Sequence, residues 1–184
     1  IMDNVIRITF PSYSRLQHDP KSLKIAIEKS LFLISFFIFP CVAGLITLTS
    51  VFLELVPFYS RWLPATFSLS LFAMSTIFSS ISTPLTNLLN AIGKVRVTTY
   101  FMVFWTASIW ILTPIFIKFY GFNGVALASF LVSLSSVGVF IVARRFVAYS
   151  FLKPVVSPLC AAIIMLIFLY LTRSIVTSIP LLIV

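Results

Sequence analysis

The sequence has few charged side chains and a large excess of apolar ones. Of its 184 residues, 9% are charged and 60% are hydrophobic, and the mean hydropathy is +1.15. A soluble domain carries about a quarter charged residues. A water-soluble core of this size does not hide so much apolar surface. The composition therefore excludes a soluble domain and predicts a protein whose solvent is lipid.

Acidic side chains, histidine and cysteine are also scarce. The chain has one histidine, His18, and two cysteines, Cys41 and Cys160, which lie in apolar runs without a partner at metal-ligand spacing. We expect the cysteines to be small buried hydrophobic residues and His18 to be a solvated loop residue. The four acids are scattered along the chain: Asp3, Asp19, Glu28 and Glu54. With no catalytic constellation in view, we expect no enzyme, no cofactor and no metal site.

Basic residues are the one kind of charge in excess. The chain has 13 basic residues against 4 acidic ones, a formal net charge of +9. In a soluble protein this charge would suggest nucleic acid, but no basic patch with interleaved aromatic residues lies on a polar face. The basic residues lie between apolar runs, where they meet anionic headgroups and set orientation. We therefore expect the lipid bilayer as a partner and no nucleic acid.

Long apolar runs follow one another through the chain. A membrane-spanning helix needs roughly 20 apolar residues. Five complete spans are predicted, at residues 31–53, 66–89, 97–117, 124–142 and 155–171, with partial spans at 1–13 and 179–184. Each is expected to be helical because a backbone in lipid must satisfy its own hydrogen bonds. The predicted fold is an all-α polytopic membrane helical bundle. We expect one transmembrane domain over residues 1–184, itself a piece of a longer chain.

The loop charges predict an orientation. Alternation of the spans places loops 14–30, 90–96 and 143–154 on one side, and Arg61, Lys118 and Arg173 on the other. Short cytoplasmic loops carry the excess of lysine and arginine. We therefore expect a multi-pass protein of the cytoplasmic (inner) membrane with these three loops in the cytoplasm. The basic residues on that side are Arg15, Lys21, Lys24, Lys29, Lys94, Arg96, Arg144, Arg145 and Lys153.

The first loop contains a helix-start signal. Asp19 offers a capping carboxylate, and Pro20 needs no backbone donor, so a helix is expected to begin near Pro20. Apolar residues then recur at helical spacing on one stripe. The stripe is Leu23, Ile27 and Leu31. Prolines inside the spans are expected to bend their helices: Pro40, Pro84 and Pro114.

The second complete span carries a polar stripe. Its polar residues fall on two adjacent rows at helical spacing, opposite an apolar face. One interpretation is close helix packing by small hydroxyl residues, and the other is a water-filled cavity, which the two asparagines and Pro84 favour. The candidate cavity-lining and substrate-binding residues are Ser75, Ser79, Ser82, Thr83, Thr86, Asn87 and Asn90. In the fourth span, we interpret Gly124, Ala128, Ser129 and Ser133 as packing residues without chemistry.

Three cations have two interpretations each. Arg7 lies within the first partial span, with Asp3 one turn before it. Arg7 either extends to the interface or faces inward to meet an anionic ligand. Lys94 and Arg96 lie at the mouth of the polar helix. They either set topology or contact a phosphate at the cytoplasmic mouth.

Three motifs together resemble the polysaccharide-transporter, or oligosaccharide flippase, family. They are Phe10-Pro11-Ser12-Tyr13-Ser14-Arg15-Leu16 with the loop ending in Glu28-Lys29-Ser30, then Leu89-Asn90-Ala91-Ile92-Gly93-Lys94, then Tyr120-Gly121-Phe122-Asn123-Gly124-Val125-Ala126-Leu127-Ala128. The resemblance extends from residue 1 to about residue 147. It implies a transporter of two pseudo-symmetric bundles, of which this chain is most of the second, with the N-terminal lobe missing. It also implies flipping of polyprenyl-pyrophosphate-linked oligosaccharide, a precursor of O-antigen, capsule or exopolysaccharide, by alternating access.

Three alternatives stay open, and one of them is a structural or assembly subunit. A cation-coupled multidrug exporter belongs to the same superfamily, but would favour a carboxylate within the membrane. A membrane-embedded polysaccharide polymerase or glycosyltransferase is disfavoured by the short loops and the scarcity of acids.

Overall fold

The computed structural model describes residues 2–55 and 61–178, with side-chain placement for the same residues except 2–8, 50, 54–55, 170 and 172–178. The described residues form helices joined by short turns, with no strand among them. The helices are α1 (Met2–Leu16), α2 (Pro20–Leu55), α3 (Ala65–Ala91), α4 (Val95–Tyr120), α5 (Asn123–Leu134), α6 (Val137–Phe146) and α7 (Leu152–Ser178).

Five helical stretches are long and apolar enough to cross a bilayer. They are Pro20–Leu53, Ala65–Ala91, Val95–Tyr120, Asn123–Phe146 and Leu152–Leu169. Each contains most of one span predicted from the sequence, so the all-α polytopic bundle is confirmed. The predicted partial span at 179–184 lies outside the described residues. The assignment of residues 1–184 to one lobe of a longer transporter stays a prediction.

The helix-start signal at the first loop is confirmed. Helix α2 begins at Pro20. The Asp19 carboxylate accepts hydrogen bonds from the Lys21 backbone N–H, at 3.0 Å, and from the Ser22 hydroxyl, at 2.5 Å. These bonds hold the pKa of the Asp19 carboxyl below its ordinary value, the Ser22 hydroxyl having the largest effect. The predicted apolar stripe that follows is buried: Leu23, Ile27 and Leu31.

Helix α3 lies at the centre of the bundle. It contacts α1, α2, α4, α5 and α6, whereas α7 packs against α2. The apolar face of α3 supplies Ile81, Leu85 and Leu88 to the core, which it shares with Tyr13 of α1 and Ile27 of α2. Because the apolar face is used for this core, the polar face of α3 is left to point the other way, toward α4 and α5.

The fourth predicted span is not one continuous helix. It is interrupted at Ser135 and Ser136, between α5 and α6. There the backbone makes tight turns: Ser135 N–H donates to the Val132 carbonyl at 3.1 Å, and Ser136 N–H to the Ser133 carbonyl at 3.0 Å. The Ser135 hydroxyl also donates to the Val132 carbonyl at 2.6 Å. These local bonds compete with the regular helical pattern, which explains the interruption.

Both cysteines differ from expectation. We expected Cys41 and Cys160 to be buried, and this prediction is wrong, because both are exposed on the outer surface of the bundle. In lipid, a small apolar side chain is equally suited to the surface and to the interior.

The three basic loops meet at one end of the bundle. Glu28, which belongs to the predicted first loop and lies near the start of α2, accepts a hydrogen bond from the Ser150 backbone N–H at 2.8 Å. Lys94, in the second, lies over the Phe146 ring with its Nζ 5.2 Å from the ring centroid. We call this the basic end of the bundle.

Candidate functional site

A cavity of about 690 Å³ lies between α3, α4 and α5. Its volume falls within the roughly 300–1,000 Å³ of ordinary ligand sites. Along α3 it extends from Ser75 to Asn90, which is about 22 Å at the helical rise of ~1.5 Å per residue. It therefore follows most of the ~30 Å thickness of a bilayer's hydrocarbon core.

Helix α3 forms the polar wall of the cavity. All seven of its sequence-predicted candidates line it: Ser75, Ser79, Ser82, Thr83, Thr86, Asn87 and Asn90. The helical repeat places them together, because residues three and four apart share a face. Ser82, Thr86 and Asn87 are buried, whereas Ser79 is exposed. Their role in binding a substrate stays a prediction.

The hydroxyl hydrogens of this wall are already used within α3. Ser79 donates to the Ser75 carbonyl at 3.1 Å, Thr83 to the Ser79 carbonyl at 2.9 Å, and Thr86 to the Thr83 carbonyl at 2.8 Å. A hydroxyl that donates to its own helix retains its oxygen lone pairs. Asn90 adds a buried Oδ1 without a hydrogen-bond partner among the described residues. The wall therefore presents mainly acceptors to a ligand.

Asn87 lies on the inner part of this wall. Its side-chain Nδ2 donates to the Thr9 hydroxyl of α1 at 3.2 Å, and the bond is buried. A hydrogen bond between helices in a membrane contributes about 0.6 kcal/mol on average. This bond fixes one cavity side chain to the first helix.

Helix α4 supplies an aromatic wall that the sequence reasoning missed. Its lining residues are Met102, Trp105, Thr106, Ile109 and Trp110. Their spacing is that of one helical face, and this periodicity was the available signal. Trp105 is fixed by a hydrogen bond from Nε1 to the Ser135 hydroxyl at 2.9 Å. Trp110 is 78% exposed, so the cavity is open along this wall.

Helix α5 forms the third wall. We expected Ser129 and Ser133 to serve packing alone, but both line the cavity, together with Val132 and with Ser136 just beyond the helix. The packing role belongs to their neighbours, since Ala126 and Ala128 are fully buried. Residues on adjacent helical rows thus have different roles, and the sequence pattern does not separate them.

The close approach of α4 and α5 depends on Gly124. A Cβ added there would fall on the Phe116 carbonyl oxygen and would lie 2.6 Å from the Ile117 nitrogen. Gly121, with φ of +59°, reverses the chain between the two helices. The glycines of the third family motif therefore set the distance between the two walls.

The second family motif forms a helix cap at the end of the polar wall. Gly93 has φ of +75°, which favours glycine. Its N–H donates to the Asn90 carbonyl at 3.1 Å, and the Lys94 N–H donates to the Leu89 carbonyl at 2.8 Å. This is the Schellman arrangement, in which glycine ends a helix and satisfies its last carbonyls. The cap ends with Lys94, which directly precedes α4.

The sequence-predicted cations are not brought into the cavity wall. Lys94 contacts Phe146, Arg96 is exposed, and neither lines the cavity. Arg7 lies on α1, but its side chain is outside the described side chains. Every described residue that lines the cavity is uncharged. The described site therefore consists of hydroxyls, amides, two indoles and apolar groups.

These features define a class: an all-α, multi-pass membrane protein with a neutral polar cavity within its bundle. Comparison with known proteins specifies the class further. Residues 1–67 match the family model described as "Polysaccharide biosynthesis protein". This match covers the first of the three motifs, whereas the motif resemblance extends to about residue 147.

Two curated relatives are similar to parts of the chain. An uncharacterized membrane protein in the cps region of Klebsiella pneumoniae is 31% identical over 97 residues, which is 53% of this chain and 20% of the relative. The lipopolysaccharide biosynthesis protein WzxC of Escherichia coli K12 is 28% identical over 102 residues, 55% of this chain and 20% of the relative. No solved structure matches the chain significantly.

The matched part of this chain thus spans about one fifth of the length of these relatives. The family match and the two relatives agree with the resemblance that the motifs had indicated.

Proposed function

We propose that this chain forms part of a transporter that moves polyprenyl-pyrophosphate-linked oligosaccharide across the cytoplasmic membrane by alternating access. The cavity between α3, α4 and α5 is the path of the sugar. The observation that carries this proposal is the chemistry of the cavity: its described lining is uncharged, rich in hydroxyl and amide groups, and contains two tryptophans. The proposed role is transport rather than catalysis.

An oligosaccharide needs such a path because its hydroxyls lose water on entering the membrane. An unpaired hydroxyl in an apolar environment costs roughly 1–3 kcal/mol by protein mutational data. The α3 wall offers oxygen lone pairs to sugar hydroxyls, because its own hydroxyl hydrogens are donated to helix carbonyls. Ser79 is the exposed position of this wall, and Thr83 and Asn90 are half-buried.

The aromatic wall suits the other face of a sugar ring. An indole presents a flat apolar surface to the C–H groups of the sugar, beside the polar wall that meets its hydroxyls. Trp105 is held by Ser135 and is the fixed element. Trp110 is exposed and free to contact a cargo that enters from the open side.

The pyrophosphate is met at the basic end. Lys94 lies in the turn that follows Asn90, the last cavity residue on α3, and directly precedes α4, whose second residue is Arg96. The contact of Lys94 with Phe146 is worth about 0.5–1 kcal/mol at an exposed site. A hydrogen bond to a charged group contributes about 1.5–3 kcal/mol. A pyrophosphate therefore competes successfully for Lys94, while the lipid tail stays in the bilayer.

The test uses the full-length protein in liposomes with a fluorescent polyprenyl-pyrophosphate-linked sugar. Thr83→Leu fills the cavity and removes an acceptor, so we expect transbilayer movement to fall about tenfold. Thr76→Leu is the matched control, because Thr76 makes the same bond to its own helix, to the Phe72 carbonyl at 2.9 Å, but does not line the cavity. Equal rates of transbilayer movement for the two variants would show that the cavity is not the path of the sugar. Drug efflux without movement of the lipid-linked sugar would overturn the proposed function.

A second pair of variants tests the aromatic wall. Trp110→Ala should lower transport severalfold without lowering stability, because Trp110 is 78% exposed. Trp62→Ala is its control, since Trp62 is 55% exposed and does not line the cavity. The same loss in both variants would show that the effect belongs to exposed tryptophans in general.

A further inference from the structure

A second groove, of about 580 Å³, lies at the basic end between α2 and the first turn of α7. It shares no lining residue with the cavity described above. Its walls combine four apolar side chains with two lysines and one glutamate. The lining residues are Ile25, Glu28, Lys29, Phe32, Leu33, Lys153 and Pro154.

The apolar part of the groove is exposed beside the lysines. Ile25, Lys29, Phe32 and Leu33 lie on one face of α2, since they are separated by three, four or one residue. Ile25, Phe32 and Leu33 are 52%, 44% and 52% exposed, respectively. Phe32 and Leu33 follow Lys29 along α2 toward the middle of the membrane, whereas Ile25 precedes it, so the apolar lane on the membrane side of the lysine consists of Phe32 and Leu33.

The charge of the groove is positive. Lys29 and Lys153 are both exposed, and neither forms an ion pair with a described residue. The Glu28 carboxylate accepts a hydrogen bond from the Ser150 backbone N–H at 2.8 Å, so it is tied to the loop that joins α6 and α7. Two lysines on different helices therefore face the groove with one carboxylate that is already engaged.

We propose that this groove binds an anionic glycerophospholipid. Its phosphate contacts Lys29 of α2 and Lys153 of α7, and one acyl chain lies along Phe32 and Leu33, with Ile25 beside the headgroup. A basic pocket between membrane helices next to an apolar lane has the charge and shape complementarity for such a lipid. The bound lipid connects the start of α7 to α2, the helix against which α7 packs. The proposal does not depend on the transport function.

The test is native mass spectrometry of the full-length protein in detergent, titrated with phosphatidylglycerol or with phosphatidylcholine of the same acyl chains. We expect tighter binding of phosphatidylglycerol. The variant Lys29→Gln with Lys153→Gln should lose about fivefold in affinity for each lysine removed, roughly 25-fold together. Lys29→Arg with Lys153→Arg should retain the binding. Lys118→Gln, at an exposed lysine near the C-terminal end of α4, should leave it unchanged.

Three results would overturn the proposal. The first is equal affinity for the two phospholipids, and the second is an equal loss in the Lys118 control. The third is displacement of phosphatidylglycerol by glycerol phosphate at the same concentration, which would show that the apolar lane contributes nothing. Because no lipid-linked sugar is present, these results are independent of the test of transport.

Discussion

Replacing Gly124 by alanine tests the geometry that holds two cavity walls together. The added Cβ would fall on the Phe116 carbonyl oxygen and lie 2.6 Å from the Ile117 nitrogen. Both are backbone atoms, so no side-chain rotation relieves the contact. Helix α5 must move away from α4, and overpacking of this kind costs typically about 1–3 kcal/mol.

Gly44 provides the matched control. A Cβ there would meet only the Met165 side chain, at 4.0 Å, which is ordinary van der Waals contact. Alanine replaces glycine inside a helix with a gain of about 0.5–1 kcal/mol. The free energy of unfolding of Gly124→Ala should therefore lie about 1.5–4 kcal/mol below that of Gly44→Ala.

Unfolding of the full-length protein by SDS added to detergent micelles measures this difference. We expect the midpoint of Gly44→Ala to equal or exceed that of the wild type, and the midpoint of Gly124→Ala to fall clearly below it. Transport by Gly124→Ala should fall as well, because α4 and α5 carry opposite cavity walls. If Gly124→Ala were as stable as Gly44→Ala, the close approach of the two helices would be refuted.

Three further predictions concern single contacts. Asp19→Ala should lower the thermal midpoint at neutral pH. In the wild type the pKa of Asp19 is depressed, mainly by the Ser22 hydroxyl, so the ionised carboxylate stabilises the fold at pH values above the pKa of the unfolded chain. This stabilisation is lost as the pH falls through the pKa of the folded state. Trp105→Phe keeps an aromatic ring but removes the hydrogen-bond donor to Ser135, so the free energy of unfolding should fall by about 1 kcal/mol. Adding Ser135→Ala to this variant should lower the free energy of unfolding little further, because the bond is already absent. Burial raises the pKa of Tyr149 from 10.0 to about 12. The contribution of the neutral Tyr149 side chain to the free energy of unfolding should therefore be complete below pH 10 and lost as the pH rises through 12. The unfolding midpoint of Tyr149→Phe should lack this dependence on pH.

The fold was largely predictable because the bilayer imposes strict rules. A helix of apolar residues is the simplest way for one segment to satisfy its backbone in lipid, so most of each of the five complete predicted spans lies in a helical stretch long enough to cross a bilayer. The start of α2 was predictable because Asp19 and Pro20 act through local bonds. The interruption at Ser135 was missed, because a serine in an apolar run is equally compatible with a continuous helix.

The candidate site was only partly predictable. The polar wall of α3 followed from the helical repeat, since hydroxyl and amide residues on two adjacent rows require one polar face. The wall formed by Trp105 and Trp110 was missed, although its spacing is equally regular. An aromatic residue in a membrane helix has the same hydropathy whether it faces lipid, another helix or a cavity. The sequence pattern therefore does not identify what the residue contacts.

The sequence by itself determined that this protein spans a membrane, where its helices lie, which of its loops are basic and which face of α3 is polar. These properties depend on the spacing of residues within a segment and on the free energy of transferring that segment from water to lipid. Both can be read from each segment without knowledge of the others. Only the tertiary structure decided that α3 faces the tryptophans of α4 and the serines of α5, and that Lys94 turns to Phe146. Those outcomes depend on which helices pack together. In lipid this is decided by close fit, such as that at Gly124, rather than by hydrophobicity.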